Sequence, residues 1–155
     1  MTRTASSPTP LRLLPAVIVA LLVVLVALPV TMVLDPAATA ASVERQNPSL
    51  PPSEVQSWAS AAVAYAAAIH LVYAVLVTWL GAMTLRRRRW ARVALTIALV
   101  LATLGSLDSA TRGPGYLWWA IAGDVLHVAI IAMLWVPGSV RQFFAVATRR
   151  GVRTG

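Results

Sequence analysis

The sequence predicts an all-α, polytopic membrane protein, a bundle of four transmembrane helices with a short C-terminal amphipathic helix. Of its 155 residues, 59% are hydrophobic and only 12% are charged, whereas about a quarter of the residues in a soluble domain are charged. The apolar residues gather into four long runs, and crossing a hydrocarbon layer takes roughly 20 of them. All 13 basic residues are arginine, and most of them flank these runs.

The runs divide a single membrane domain, residues 1–155, into spans and connections. We place the spans at about residues 13–34, 58–85, 90–107 and 116–136. The connections are then a disordered cytoplasmic N-terminus at 1–12, an extracytoplasmic loop at 35–57, and a cytoplasmic tail at 137–155. The polar, proline-rich composition at the N-terminus and the lack of periodicity in the loop favour these assignments.

The distribution of arginine predicts the orientation. Eleven of the 13 lie in the N-terminus, the turn after the second span or the C-terminal segment, and only Arg45 and Arg112 lie elsewhere. Because cytoplasmic segments of membrane proteins are enriched in basic residues, we expect a multi-pass protein of the cell membrane with both termini cytoplasmic. Topology accounts for the basic charge, so no nucleic acid is expected as a partner. The arginines expected to contact anionic lipid headgroups are Arg86, Arg87, Arg88, Arg89, Arg92, Arg141, Arg149 and Arg150.

The first span is predicted to be a retained anchor. The small residues Ala38 and Ala40 have the spacing of a signal-peptidase site, and cleavage after Ala40 is the alternative. The apolar run before them is about 22 residues long, whereas the apolar part of a secretory signal has about 7–15. The length therefore favours retention.

The second span carries a row of small residues at intervals of four, Ser60, Ala64 and Ala68. Such a row lets the backbone of another transmembrane helix approach closely. We therefore expect a membrane-protein partner or a second copy of the chain against this face.

The third and fourth spans are bounded by recognisable signals. The turn "RRRRWAR" precedes the third span, and Gly113-Pro114-Gly115 breaks the helix before the fourth. Tryptophans at both ends of the fourth span fit the interfacial belts of a membrane bundle. After Pro137, an apolar stripe predicts a short amphipathic helix on the cytoplasmic leaflet; the stripe consists of Val140, Phe143, Phe144 and Ala147.

Ionisable residues at membrane depth are the candidate functional site. His70 of the second span and His127 of the fourth lie at similar distances from the outer ends of their spans, and Asp124 is one helical turn from His127. With Tyr73 they form a predicted intramembrane polar cluster, because a charged residue in hydrocarbon must find partners. The cluster has three interpretations: structural hydrogen bonding between helices, a proton- or ion-responsive site, or haem b held by His70 and His127.

No motif of a soluble enzyme is present, and the chain has little extramembrane sequence. We therefore expect no catalytic residue, no metal site and, in the preferred interpretation, no cofactor. The preferred function is a non-enzymatic accessory or interaction subunit of a larger membrane assembly.

The exit from the last span carries a family resemblance. The segment "MLWVPGSVRQFF", Met133–Phe144, resembles small actinobacterial four-span integral membrane proteins of unknown function. In many of those proteins the last span ends with Leu-Trp, then a proline, a serine and an aromatic pair. The resemblance covers this exit and the span layout, and it implies a membrane location without implying an activity.

Overall fold

The chain folds into helices joined by short connections in a computed structural model that describes residues 8–110 and 114–151, with the side chains of 8–107 and 117–145. The described part contains no strand. The helices are α1 (Thr9–Leu34), α2 (Pro36–Gln46), α3 (Pro52–Leu85), α4 (Arg89–Ala110), α5 (Pro114–Trp135) and α6 (Gly138–Gly151). Four of them, α1, α3, α4 and α5, are long and apolar enough to cross a membrane. The predicted all-α, four-span membrane bundle is confirmed.

The four spans form a closed ring. Each packs against two others: α1 and α4 both lie between α3 and α5. Because successive spans alternate in direction, all ring neighbours are antiparallel, and the bundle has two distinct ends. We call the end with the α3–α4 turn and α6 the arginine end, and the end with α2 the hairpin end.

The apolar core lies toward the arginine end. Leu14, Leu95 and Leu134 of three different spans are fully buried in it. Helices α3 and α1 approach each other closely at Gly81 of α3, where an added Cβ would lie 2.5 Å from Cδ1 of Ile18 on α1. Side chains here interlock because small residues on one helix admit large ones on the next.

The N-terminal boundary differs from the prediction for residues 1–12. Helix α1 begins at Thr9 and Leu11 is buried in the core, so residues 9–12 are helical; residues 1–7 lie outside the described part. Pro10 is accommodated because the first positions of a helix need no backbone donor.

The segment predicted as an extracytoplasmic loop, residues 35–57, is largely helical: α2 occupies Pro36–Gln46 and α3 begins at Pro52. Asp35 starts α2 by accepting a hydrogen bond from the Ala38 backbone nitrogen at 3.0 Å. Helix α2 packs on α3 and buries Val43. Helix α3 is about 51 Å long at 1.5 Å per residue over its 34 residues, so its first turns extend beyond a hydrocarbon layer of about 30 Å and provide a surface for α2.

The C-terminal helix is confirmed as α6, but its stripe does not face lipid. Val140, Phe143 and Phe144 are buried in the same core as the spans. These three side chains extend the apolar core at the arginine end of the bundle. The side chains of Ala147, Arg149 and Arg150 lie outside the described side chains.

Candidate functional site

His127 of α5 is the centre of a polar network near the middle of the bundle. Its side chain is only 4% exposed, and both ring nitrogens have partners. Nε2 lies 3.1 Å from the hydroxyl of Tyr73 on α3, and Nδ1 lies 3.0 Å from Oγ1 of Thr103 on α4. The Tyr73 and His127 rings meet edge to face, with centroids 5.9 Å apart. One imidazole thus connects three spans.

Asp124 extends this network by one helical turn. Its Oδ1 lies 3.5 Å from Nδ1 of His127. The hydroxyl of Ser106 on α4 donates to the carboxylate, with distances of 2.6 and 2.7 Å to the two oxygens. A continuous polar path therefore runs from Tyr73 through His127 to Asp124 and Ser106.

The network is internally satisfied. Among the described side chains, every buried polar atom that lacks a hydrogen-bond partner belongs to Arg92, at the arginine end of the bundle. A neutral His127 protonated on Nδ1 can donate toward Thr103 or Asp124 while Nε2 accepts from the Tyr73 hydroxyl. Such an arrangement can hold three helices in one rotational register, and it can pass a proton along a line of hydrogen-bonded groups.

His70 is separate from this network. Its Nδ1 donates to the backbone oxygen of Ala66 on its own helix at 2.6 Å. Its ring lines an apolar groove of about 420 Å³ between α1 and α3. The other residues lining the groove are Leu25, Val26, Pro29, Val30, Val33, Leu34, Val63, Ala67, Leu71 and Ala74. Of the four residues predicted to cluster, the structure brings Tyr73, Asp124 and His127 together and places His70 elsewhere.

The arrangement does not fit a haem held between two imidazoles. Both nitrogens of His127 have side-chain partners, so neither is free to act as an axial ligand. His70 lines the α1–α3 groove, and His127 is not part of that lining. His70 and His127 therefore have similar depths along their spans, but they do not line a shared cavity.

Sequence reasoning missed Thr103 and Ser106. Both are on α4, three residues apart, and they meet Asp124 and His127, which have the same spacing on the antiparallel neighbour α5. Since residues three apart share a helix face, the matching intervals were the available signal. Hydroxyl residues are common enough in membrane helices that the interval alone did not identify them.

Helix α3 therefore contributes to two sites, through Tyr73 to the polar network and through His70 to the groove beside α1. The row Ser60, Ala64 and Ala68 on the same helix is exposed along its length. Comparisons with protein-family models, with curated proteins and with solved structures found nothing that matches this chain.

Proposed function

We propose that the chain is a non-enzymatic subunit of the cell membrane that binds a transmembrane helix of a partner protein on α3. The observation that carries this proposal is the exposure of the predicted small-residue row, Ser60, Ala64 and Ala68. Of the four spans, α3 is also the least buried: 6% of the residues in its most apolar segment are buried, against 28% for α5.

The physical reason lies in how helices associate in lipid. Lipid tails are as apolar as leucine, so association depends on close packing between backbones, which small residues permit. Inside the bundle, α3 already uses this device at Gly81 against Ile18. The row on the hairpin half has no such occupant among the described residues, and a partner helix would supply one.

The groove beside the row defines the chemistry of the partner. Because Nδ1 of His70 donates to the Ala66 carbonyl, the neutral ring keeps Nε2 as an acceptor. The lining of the groove is otherwise made of apolar residues and Pro29. We infer a partner helix with small residues along one face and one hydrogen-bond donor, such as serine or threonine, at the depth of His70.

We place the arginine end in the cytoplasm and the hairpin end outside, as the positive-inside bias indicates. In this orientation the row and the groove lie in the outer half of the membrane. The arginine end then lies among the headgroups of the inner leaflet, where basic residues interact favourably with anionic lipid.

Photocrosslinking from defined positions tests the partner proposal. A photoreactive residue at Ala64 should crosslink one membrane protein in native membranes, and Ala64→Leu should abolish its co-purification because the bulkier side chain blocks close approach. Val125 on α5, which is also exposed, is the matched control position and should give no such product. Crosslinking of the chain to itself would indicate a homo-oligomer, and equal products from both positions would contradict a specific face.

A proton-responsive role is the second candidate, and the continuous path from Tyr73 to Ser106 favours it. Proton flux into liposomes containing the protein should then fall with Asp124→Asn, which keeps the shape of the side chain and removes its charge. Ser60→Ala, outside the network, is the control. If Asp124→Asn changes thermal stability without changing flux, the network serves only to hold the helices in register.

A further inference from the structure

The arginine end has no acidic side chain to balance its charge. The five acidic residues are Asp35, Glu44, Glu54, Asp108 and Asp124. None lies between positions 55 and 107 or after position 124, so the α3–α4 turn, the inner part of α5 and all of α6 contain none. A buried cation at the arginine end therefore cannot be neutralised by an acidic side chain of this protein. An anion that neutralises it must come from another source.

Arg92 is such a cation. It lies in the first turn of α4 and is 8% exposed. Its Nε and Nη2 are buried and have no hydrogen-bond partner. These two nitrogens form the side-on fork with which arginine binds carboxylate or phosphate in a bidentate manner. A buried, unpartnered charge is costly, and an anion bound by these two nitrogens would lower that cost.

Aromatic rings hold the Arg92 side chain in place. Its guanidinium carbon lies 3.7 Å from the centroid of the Trp135 ring and 5.1 Å from that of Phe144. The Trp135 indole nitrogen donates to Oγ1 of Thr96 at 2.8 Å, which fixes the ring over the cation. Stacking on these ring faces offsets part of the cost of burial, but it leaves the in-plane N–H groups unpaired.

Two further arginines surround Arg92. Arg89 and Arg141 are the charged residues that act on it electrostatically. Arg89 donates from Nε and Nη2 to the backbone oxygen of Phe144, at 3.0 and 2.6 Å, and Arg141 is exposed. Mutual repulsion among three cations increases the stabilisation that an anion would bring.

We propose that Arg92 binds a phosphate group, that of an anionic phospholipid headgroup, with Arg141 and Arg89 adding positive charge around it. The planar guanidinium fork matches phosphate geometry. A lipid is favoured over free phosphate because exposed apolar side chains, Val93 and Val136 among them, adjoin the site and can contact acyl chains. Trp135 is 41% exposed, so the cation that it stacks on lies close to the surface of the bundle.

The test uses the purified full-length protein in a neutral detergent, with lipid binding followed by native mass spectrometry and thermal unfolding. Dioleoylphosphatidylglycerol should bind the wild type and raise its unfolding temperature. Arg92→Gln should weaken that binding on the order of tenfold, the size expected for a bidentate charge-assisted contact. Arg86→Gln, which removes the same charge from an exposed position in the adjacent turn, should stay within about twofold, because an exposed, screened cation contributes little.

Two additional arms identify the source of the phosphate. Inorganic phosphate should stabilise the protein far less than the lipid does, and dioleoylglycerol, which has the same chains and no phosphate, should not discriminate between wild type and Arg92→Gln. Equal stabilisation by inorganic phosphate would contradict a lipid ligand. Equal loss in Arg86→Gln and Arg92→Gln would contradict a defined site and indicate a diffuse basic surface.

The lipid-free stability of the variant separates ligand binding from a structural role. Removing an unpartnered buried charge should leave the lipid-free unfolding temperature unchanged or raise it, whereas a structural Arg92 would make it fall. If Arg92→Gln does not fold, the structural role is supported and the proposal is overturned. Arg141→Gln, an exposed position, provides an independent variant, in which lipid binding should weaken about threefold.

Discussion

His127 illustrates how a polar residue is accommodated in this bundle. The ring is buried, and each nitrogen meets a hydroxyl from a different helix, Tyr73 on one side and Thr103 on the other. In hydrocarbon an unpaired polar group costs several kcal/mol, so pairing is required for the residue to be tolerated. The consequence is geometric: three helices are held at one relative rotation by one side chain.

Removing the Tyr73 hydroxyl tests this role. Tyr73→Phe keeps the ring contact and leaves Nε2 of His127 unpaired, so the free energy of unfolding should fall by about 1 kcal/mol. Unfolding in mixed detergent micelles, followed by circular dichroism, measures the change. Tyr65→Phe is the matched control, because Tyr65 is on the same helix and 71% exposed; a similar loss in both variants would contradict the assigned hydrogen bond.

At the scale of elements, the largest difference between prediction and structure is the position of α6. The sequence predicts that its apolar stripe lies on the lipid surface, whereas Val140 and Phe144 are buried in the core. Arg89 contributes to this position by donating to the Phe144 carbonyl, and Arg87 lies over the Phe143 ring at 4.1 Å. The basic turn after α3 therefore holds the C-terminal helix against the ends of the spans.

The attachment of α6 can be measured by cysteine labelling, because the chain has no native cysteine. With a water-soluble maleimide, Val140→Cys should react on the order of ten times more slowly than exposed Gln142→Cys, since labelling the buried site requires local opening. Adding Arg89→Ala should reduce this difference by removing the two donors to Phe144.

Arg88→Ala is the control for this experiment, since Arg88 is exposed in the same turn and its loss should leave both labelling rates unchanged. Equal rates at positions 140 and 142 in the otherwise wild-type chain would show that α6 does not cover the core.

At the scale of the whole molecule, the ring of antiparallel spans separates charge between its two ends. The described arginine end contains Arg12, the Arg86–Arg89 turn, Arg92 and Arg141, while Asp35, Glu44 and Glu54 lie at the hairpin end. This asymmetry accompanies a net charge of +8 for the whole chain. It is the physical basis for the proposed orientation, because basic segments are retained on the cytoplasmic side.

Orientation is tested with single cysteines and an impermeant maleimide on intact cells. Glu44→Cys on α2 should label directly, and Arg88→Cys and Gln142→Cys should label only after permeabilisation. The three positions are all exposed, so intrinsic accessibility is matched. Labelling of Arg88→Cys in intact cells would reverse the proposed topology.

The sequence carries a signal for the start of α2. Asp35 followed by Pro36 is a helix-start pattern, since Asp accepts from the first backbone donors and proline is favoured at the first helical position. Ser53 and Gln56 have the spacing of a capping box, but α3 begins at Pro52 with no side-chain cap. Helices α2 and α3 also depend on packing against each other, through the buried Val43, Val55 and Ala59. No local sequence pattern encodes this packing.

The sequence by itself determined the four spans, their alternation and the separation of charge between the two ends. These are one-dimensional properties: the length of an apolar run decides whether it crosses, and the position of a charge along the chain decides its side. The tertiary structure decided which polar groups meet. Thr103 and Ser106 reach His127 and Asp124, while His70 faces α1 and Arg92 is enclosed by Trp135 and Phe144. These pairings depend on the rotation of each helix about its axis, and that rotation is fixed only when neighbouring helices pack.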